Sequence, residues 1–211
     1  RGSHVTHLGG VDAAVVPLPD NINAVADRSP VRTLDGAAES RMIARIDAAK
    51  ANGDTLGGIC EVVARGLPVG LGSHVSWDRK LDGRIGQAML SIPAVKAVEI
   101  GLGLQSARLS GAEVHDELEM SPGIERAGNV RRATNRAGGL DGGMTNGEAL
   151  VVRVAMKPIS TLMKPLRTVD TTTGEIAAAT VERSDVTAVP AMGVIAEAML
   201  ALVIADAMLE K

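Results

Sequence analysis

The sequence predicts an α+β fold in which β-strands and a few α-helices form a layered sandwich. Apolar strand patterns and helical patterns follow one another irregularly, without a βαβ unit or an internal repeat of fixed period. The C-terminal segment reads as a long helix that is apolar on nearly every side, which is typical of a helix with apolar neighbours on two faces. The chain has 211 residues. This length allows one large domain or two small ones, and we predict a single domain over residues 1–211.

Composition limits the classes of function. Hydrophobic residues make up 45% of the chain and charged residues 22%, as in ordinary soluble proteins, and the net charge of −3 argues against a nucleic-acid-binding protein. Cys60 is the one cysteine, so an internal disulfide is excluded and a reducing compartment such as the cytoplasm is expected. The chain has neither Phe nor Tyr, and Trp77 is its one aromatic residue besides histidine. A flat ligand must therefore be held mainly by backbone, aliphatic and polar groups.

The first third of the chain predicts a strand, a loop and a helix. The strand runs through His4–Leu8 and ends at the glycine pair Gly9–Gly10, and residues 11–34 read as a loop. Asp35 is expected to cap the helix that follows, and Asn52–Gly53 to end it. Its buried face is expected to hold Ala38, Met42, Ile46 and Ala49.

The middle of the chain predicts several strands around one helix. The strands are expected at about residues 57–65, 67–75, 95–101, 149–156 and 175–183. The helix ends at about residue 91, because Pro93 resists its continuation. Residues 120–133 read as an exposed basic loop.

The C-terminal helix raises two questions. Pro190 suits its first turn, and the segment to Leu209 is long enough to span a membrane. Glu197 and Asp206 interrupt it and favour a core helix of a soluble protein, with a membrane anchor as the alternative. Asp185 lies just before this helix and is read either as its cap or as a proton-handling carboxylate, and the local pattern favours the cap.

Two further stretches carry candidate binding groups. The segment NRAGGLDGGMTNG, residues 135–147, can direct several backbone amides at an anion, or it can be a flexible surface loop. Lys157 at a strand end, with Ser160 and Thr161 beside it, suits a phosphate, and a solvated strand end is the alternative. Arg183 is a candidate anion clamp.

The histidines predict no metal site. His4 and His7 are three residues apart in a strand, so we expect them on opposite faces, which is poor geometry for sharing one ion. No Ser-His-Asp arrangement stands out either.

Several long stretches together resemble chorismate synthase. They are GQAMLSIPAVKAVEIGLG, NRAGGLDGGMTNG followed by AMKPIST, and ERSDVTAVPAMGVIAEAM, in the family's order and over about residues 4–211. The resemblance implies a β-α-β sandwich, and since the N-terminal half of the family pattern is absent, an incomplete one. It also implies a cytoplasmic homotetrameric lyase of the shikimate pathway.

The implied reaction is a 1,4-anti elimination of phosphate from 5-enolpyruvylshikimate 3-phosphate, which gives chorismate on the route to the aromatic amino acids. Family members need reduced FMN, and NADPH is the candidate reductant. No membrane or nucleic-acid partner is implied.

The resemblance also assigns site residues. Asp185 is similar to an aspartate near the reactive edge of the flavin, and this implied catalytic role displaces the preference for a cap, although both roles can coexist. Ser184 stands where many members have histidine. The positions that resemble the family's FMN contacts are Pro93, Ala94, Gly142, Lys157, Pro158, Ile159, Ser160, Thr161 and Arg183.

Two hypotheses follow. In the first, the chain is the C-terminal part of a chorismate synthase and has little or no turnover alone, because the family's acid-supplying histidines lie in the absent half. In the second, it is a catalytically inactive flavin-binding or assembly domain derived from that family.

Overall fold

A computed structural model describes residues 1–121 and 129–211. Its strands are β1 (Gly2–Leu8), β2 (Val11–Asp12), β3 (Gly58–Ala64), β4 (Val95–Ile100), β5 (Leu118–Met120), β6 (Val130–Arg132), β7 (Leu140–Asp141), β8 (Met144–Thr145), β9 (Leu150–Met156), β10 (Arg167–Val169) and β11 (Ile176–Ala178). Its α-helices are α1 (Ile22–Ala26), α2 (Gly36–Ala51), α3 (Leu81–Leu90), α4 (Gly111–Val114) and α5 (Val189–Leu209).

An antiparallel five-stranded sheet in the order β2-β1-β3-β9-β4 organises the fold. Alternate residues of its central strands face the core, where Cys60, Val62, Val152 and Val154 are buried. Helix α5 packs against β1 and β3 on this side, and α3 packs against α5 and β4. The mixed helix-and-sheet architecture agrees with the predicted α+β class.

The opposite face of the sheet carries a row of charged side chains. His4, Glu61, Arg153 and Glu99 lie directly across four neighbouring strands. The His4 ring and the Glu61 carboxylate are 3.3 Å apart, and Arg153 lies 3.6 Å from Glu61 and 3.7 Å from Glu99. This sheet face is therefore polar, and the core lies on the helix side.

The prediction that His4 and His7 face opposite sides of the sheet is wrong. A β-bulge at Thr6 shifts the register, so that His4 lies opposite Glu61 and His7 opposite Ile59. Since Glu61 and Ile59 are two residues apart on one strand, both histidines lie on the same face. No group of three or more metal-ligating side chains is present in the described residues.

Helix α2 begins where the sequence predicts. The Asp35 carboxylate accepts hydrogen bonds from the amides of Ala37 at 2.9 Å and Ala38 at 3.2 Å. A further amide bond from Ala14, at 2.8 Å, is the largest cause of a lowered Asp35 pKa. The cap thus also fastens the segment after β2 to the helix.

The start of α5 differs from the local sequence prediction. Ala188 occupies the cap position, and the Val189 amide donates to the Thr187 hydroxyl at 3.3 Å, so the preference for Asp185 as its cap is wrong. Pro190 does lie in the first turn. The cause is that α5 begins only at Val189, so that Thr187, two residues nearer than Asp185, takes the first free amide.

Helix α5 is buried on one side only in this chain. Met192, Ala196 and Leu200 are buried, whereas Ile195 and Leu202 are exposed. The apolar neighbours that were expected on its second side are not among the described residues. By length and composition α5 could cross a membrane, but a core helix of a soluble protein passes the same test.

Several predicted segments are shorter or different in the structure. Residues 67–75 form no strand, because Gly70 and Gly72 turn the chain with φ values of 84° and 89°. The strand predicted at residues 175–183 is reduced to β11, and the predicted loop 11–34 contains β2 and α1. Much of the predicted basic loop 120–133 lies outside the described residues, and β5 and β6 flank that part.

Candidate functional site

Two of the predicted stretches meet at the end of β9. Lys157 directly follows this strand, and its amide donates to the Ala94 carbonyl at 2.9 Å. Ala94 has a φ of 67°, which is uncommon for a residue with a side chain, and lies in the turn between α3 and β4. The turn that Pro93 and Ala94 form is therefore fixed beside Lys157.

The loop after Lys157 is tied to the segment that precedes β3. The Thr55 hydroxyl donates to the Ile159 carbonyl at 2.6 Å, and the Lys164 amide donates to the Gly53 carbonyl at 3.1 Å. A side chain on Gly57 could not be accommodated, because its Cβ would lie 2.4 Å from the Met156 carbonyl oxygen. Thr55 and Gly57 thus shape the loop, although sequence reasoning did not single them out.

The segment before α5 joins the same place. The Ser184 hydroxyl donates to the Thr161 carbonyl at 2.9 Å, and the Leu56 amide donates to the Val186 carbonyl at 2.7 Å. These bonds bring residues 183–185 alongside residues 157–161. Ser184 therefore links two loops of the candidate site.

The polar groups at this place are available to a ligand. Lys157 and Asp185 are exposed, as are Ser160 and Arg183. The Lys157 ammonium contacts only the carbonyl of its neighbour Pro158, at 3.4 Å, and the side chains of Arg183 and Asp185 have no hydrogen-bond partner in residues 1–121 and 129–211. Two unpaired cations beside a hydroxyl suit an anionic group such as a phosphate. These residues therefore fit a phosphorylated cofactor, which they would hold by polar contacts.

Gly142 lies elsewhere. Its turn, between β7 and β8, adjoins the start of α3, where the Leu81 amide donates to the Gly143 carbonyl at 2.9 Å. Lys157 and Ala94 lie beyond the other end of that ten-residue helix, which is about 15 Å long at ~1.5 Å per residue. The structure does not bring Gly142 beside the Lys157 run, and its role as an FMN contact stays a prediction.

Packing within the chain explains why the residues near Gly142 are glycines. A Cβ on Gly138 would lie 2.2 Å from the Gly101 amide nitrogen, and one on Gly139 would lie 2.6 Å from the Ala149 carbonyl oxygen. A Cβ on Gly143 would lie 2.5 Å from the Lys80 side chain. Gly142 alone of these four meets nothing within 4 Å. Close packing of backbone segments thus accounts for three glycines of this stretch.

A surface cavity of about 560 Å³ adjoins the candidate site. Pro158 and Met156 line one part of it, and His7, Gly10 and Arg45 line another. Sequence reasoning missed Arg45, because a single arginine on an exposed helix face carries no distinguishing pattern.

Comparison with known proteins agrees with the resemblance. The family model described as chorismate synthase matches residues 2–209. Curated chorismate synthases of Saccharopolyspora erythraea and Acidothermus cellulolyticus are 57% and 56% identical to this chain, each over 99% of it and 52% of the relative.

A crystal structure of chorismate synthase matches 99% of this chain and 56% of its own, with a TM-score of 0.76 and 41% identity. The chain thus spans about half the length of the curated relatives that it matches. The match covers nearly every residue of the chain, and the chain therefore belongs to the chorismate synthase family.

Proposed function

We propose that this chain supplies part of the active site of a chorismate synthase, a lyase that eliminates phosphate from 5-enolpyruvylshikimate 3-phosphate with the help of reduced FMN. The observation that carries the proposal is the convergence of Ala94, residues 157–161 and residues 183–185 at the end of β9. These stretches are far apart in the chain, and they are the ones that resemble the family's flavin contacts.

Within this proposal the chain binds and orients the cofactor. Lys157 and Arg183 offer cationic donors, and Ser160 and Thr161 offer hydroxyl groups. Asp185 is exposed beside them and can hold or pass a proton at its carboxylate oxygens. When bound, reduced FMN supplies the electron density for breaking the carbon–oxygen bond to phosphate.

The chain alone is expected to show little or no turnover. It spans about half the length of the relatives that it matches, and we expect further pocket residues in the part of the relatives that it does not match. For the complete protein we propose a cytoplasmic homotetramer that takes NADPH as the source of reducing equivalents, with neither a membrane nor a nucleic acid as partner. A flavin-binding or assembly domain without activity is the competing function.

A chimeric enzyme tests the proposal. Residues 1–211 replace the matching portion of the Saccharopolyspora erythraea relative, and chorismate formation is measured anaerobically with reduced FMN. We expect the chimera to be active and the 211-residue chain alone to be inactive. In the chimera, Lys157→Met should weaken binding of reduced FMN by about tenfold or more, because one charged hydrogen-bond donor is lost.

The outcomes separate the alternatives. A folded chimera that binds reduced FMN without forming chorismate would favour the inactive flavin-binding domain. Robust chorismate formation by residues 1–211 alone would refute the proposal that turnover needs residues outside this chain. Lys50→Met is the matched control, since this exposed lysine lies in the last turn of α2, outside the candidate site.

A further inference from the structure

The cavity beside Pro158 has a cationic wall that the function proposed above does not use. One side is formed by the end of β9 and the start of β3, with Met156, Pro158 and Gly57. The other side is formed by Arg45 of α2 and by the turn between β1 and β2, which contains Gly9 and Gly10. The cavity is thus continuous with the loop that carries Lys157.

Arg45 is held in place on this wall. Its Nε donates to the Gly9 carbonyl at 3.0 Å, which fixes the guanidinium against the β1–β2 turn. Its two terminal nitrogens have no hydrogen-bond partner in the described part of the chain. A guanidinium that is anchored through Nε keeps a planar pair of donors free, and such a pair matches two oxygens of a phosphate.

The charges around Arg45 favour an anion. No carboxylate of the described residues lies within 4 Å of its guanidinium, and no acidic residue lines the cavity. Asp12, the nearest acidic group of the turn, is paired with His7 Nδ1 at 2.7 Å, and His7 Nε2 lies 3.3 Å from the Gly10 amide nitrogen, which donates to it. Lys157, next to Pro158, adds a second positive charge near the rim.

There is also room for a group to approach. Gly10 has a φ of 87°, and a Cβ placed on it would meet nothing within 4 Å. The turn therefore leaves open space next to the guanidinium.

We propose that Arg45 binds a phosphate group at the edge of the flavin site. This inference rests on the function proposed above and extends it, because it assigns a recognition residue on α2 to a phosphate that the chain binds. Two phosphates offer the same oxygens to Arg45, namely the 5′-phosphate of FMN and the 3-phosphate of the substrate.

The first experiment uses the 211-residue chain and inorganic phosphate. Backbone amide shifts are followed by NMR during a phosphate titration at constant ionic strength. We expect saturable shifts at Gly9, Gly10 and Arg45. Arg45→Gln should weaken the binding about tenfold or more, and Arg45→Lys should fall between, since it keeps the charge but loses the planar fork.

Arg41→Gln is the matched control. Arg41 lies one turn earlier on the same exposed side of α2 and loses the same charge on substitution, but it reaches the Asp12 carbonyl and does not line the cavity. Phosphate binding should be unchanged in this variant. Urea unfolding of each variant shows whether the fold is intact.

The second experiment distinguishes the two sources. FMN and riboflavin differ by the phosphate alone. If the cofactor's phosphate binds here, FMN binds more tightly than riboflavin and Arg45→Gln removes the difference. If the substrate's phosphate binds here, Arg45→Gln weakens binding of inorganic phosphate and leaves the ratio of FMN to riboflavin affinity unchanged.

The inference is overturned if phosphate leaves the amides of Gly9, Gly10 and Arg45 unshifted, or if Arg45→Gln and Arg41→Gln bind phosphate equally. Shifts at residues 157–161 caused by FMN, together with no response of Arg45 to FMN or to inorganic phosphate, would keep the proposed function and remove Arg45 from it.

Discussion

Two glycines of the segment 135–147 should respond very differently to alanine. Gly139 and Gly142 both have positive φ values, 84° and 60°, so alanine at either position is strained by about 1 kcal/mol. At Gly139 the new Cβ would also lie 2.6 Å from the Ala149 carbonyl oxygen and 2.8 Å from Leu150 Cα. Ordinary carbon contacts are about 3.5 Å, so the start of β9 must shift by several tenths of an ångström.

The overpacking adds about 1–3 kcal/mol at Gly139 and nothing at Gly142. We therefore expect Gly139→Ala to lower the free energy of unfolding by about 2–4 kcal/mol, and Gly142→Ala by about 1 kcal/mol. Urea unfolding followed by circular dichroism measures both losses of stability. Equal slopes of the unfolding free energy against urea concentration show that the two variants expose the same surface on unfolding. Equal losses in the two variants would refute the packing role of Gly139. Weaker FMN binding in Gly142→Ala would confirm the predicted contact there.

Three further predictions test the core and the electrostatics. Burial raises the pKa of Cys60 to about 12, so a thiol reagent at mildly alkaline pH should label it only after unfolding, and rapid labelling of the native protein would contradict its burial. Partial burial opposes ionisation of Asp116, but the Thr134 hydroxyl and two amides outweigh it and lower its pKa. The stability that this carboxylate contributes above the unfolded pKa of about 3.9 is lost as the pH falls through the lower folded value. The cost of Asp116→Asn in urea unfolding should therefore be full at about pH 6 and shrink below pH ~4, and a cost independent of pH would be inconsistent with this. Leu200→Ala should lower the free energy of unfolding by about 2–5 kcal/mol, because Leu200 is 1% exposed. Leu202→Ala should change it little, because Leu202 is 66% exposed. Equal losses would mean that α5 is covered on both sides.

Local chemistry made part of the fold predictable. The Asp35 cap, the helix that ends before Pro93 and the strand before Lys157 each depend on neighbouring residues, and the structure confirms them. Such features are fixed by backbone hydrogen bonds and proline geometry within a few positions.

The errors arose where distant parts of the chain decide the local structure. The bulge at Thr6 places His4 and His7 on one face, and only the pairing of β1 with β3 specifies it. Gly138 and Gly139 resemble a ligand loop in the sequence, but the segments that require them, at Gly101 and Ala149, are packed against them only in the folded chain. Arg45 could not be found for the same reason, since its cavity is formed by four separate segments.

The site was predictable only through the family resemblance. The sequence around Lys157 and Arg183, taken alone, fits solvated side chains as well as ligand-binding ones. The Thr55 hydrogen bond ties the 157–161 loop to the segment before β3, and the Ser184 bond ties it to the segment before α5. No local pattern singles out either residue.

We propose that the loops at the end of β9 hold the flavin. An NMR titration of the 211-residue chain with FMN tests it directly. We expect the largest amide shifts at Ala94, Lys157, Ser160 and Ser184. Saturable binding that shifts none of these amides, or only amides at the opposite end of α3, would contradict it.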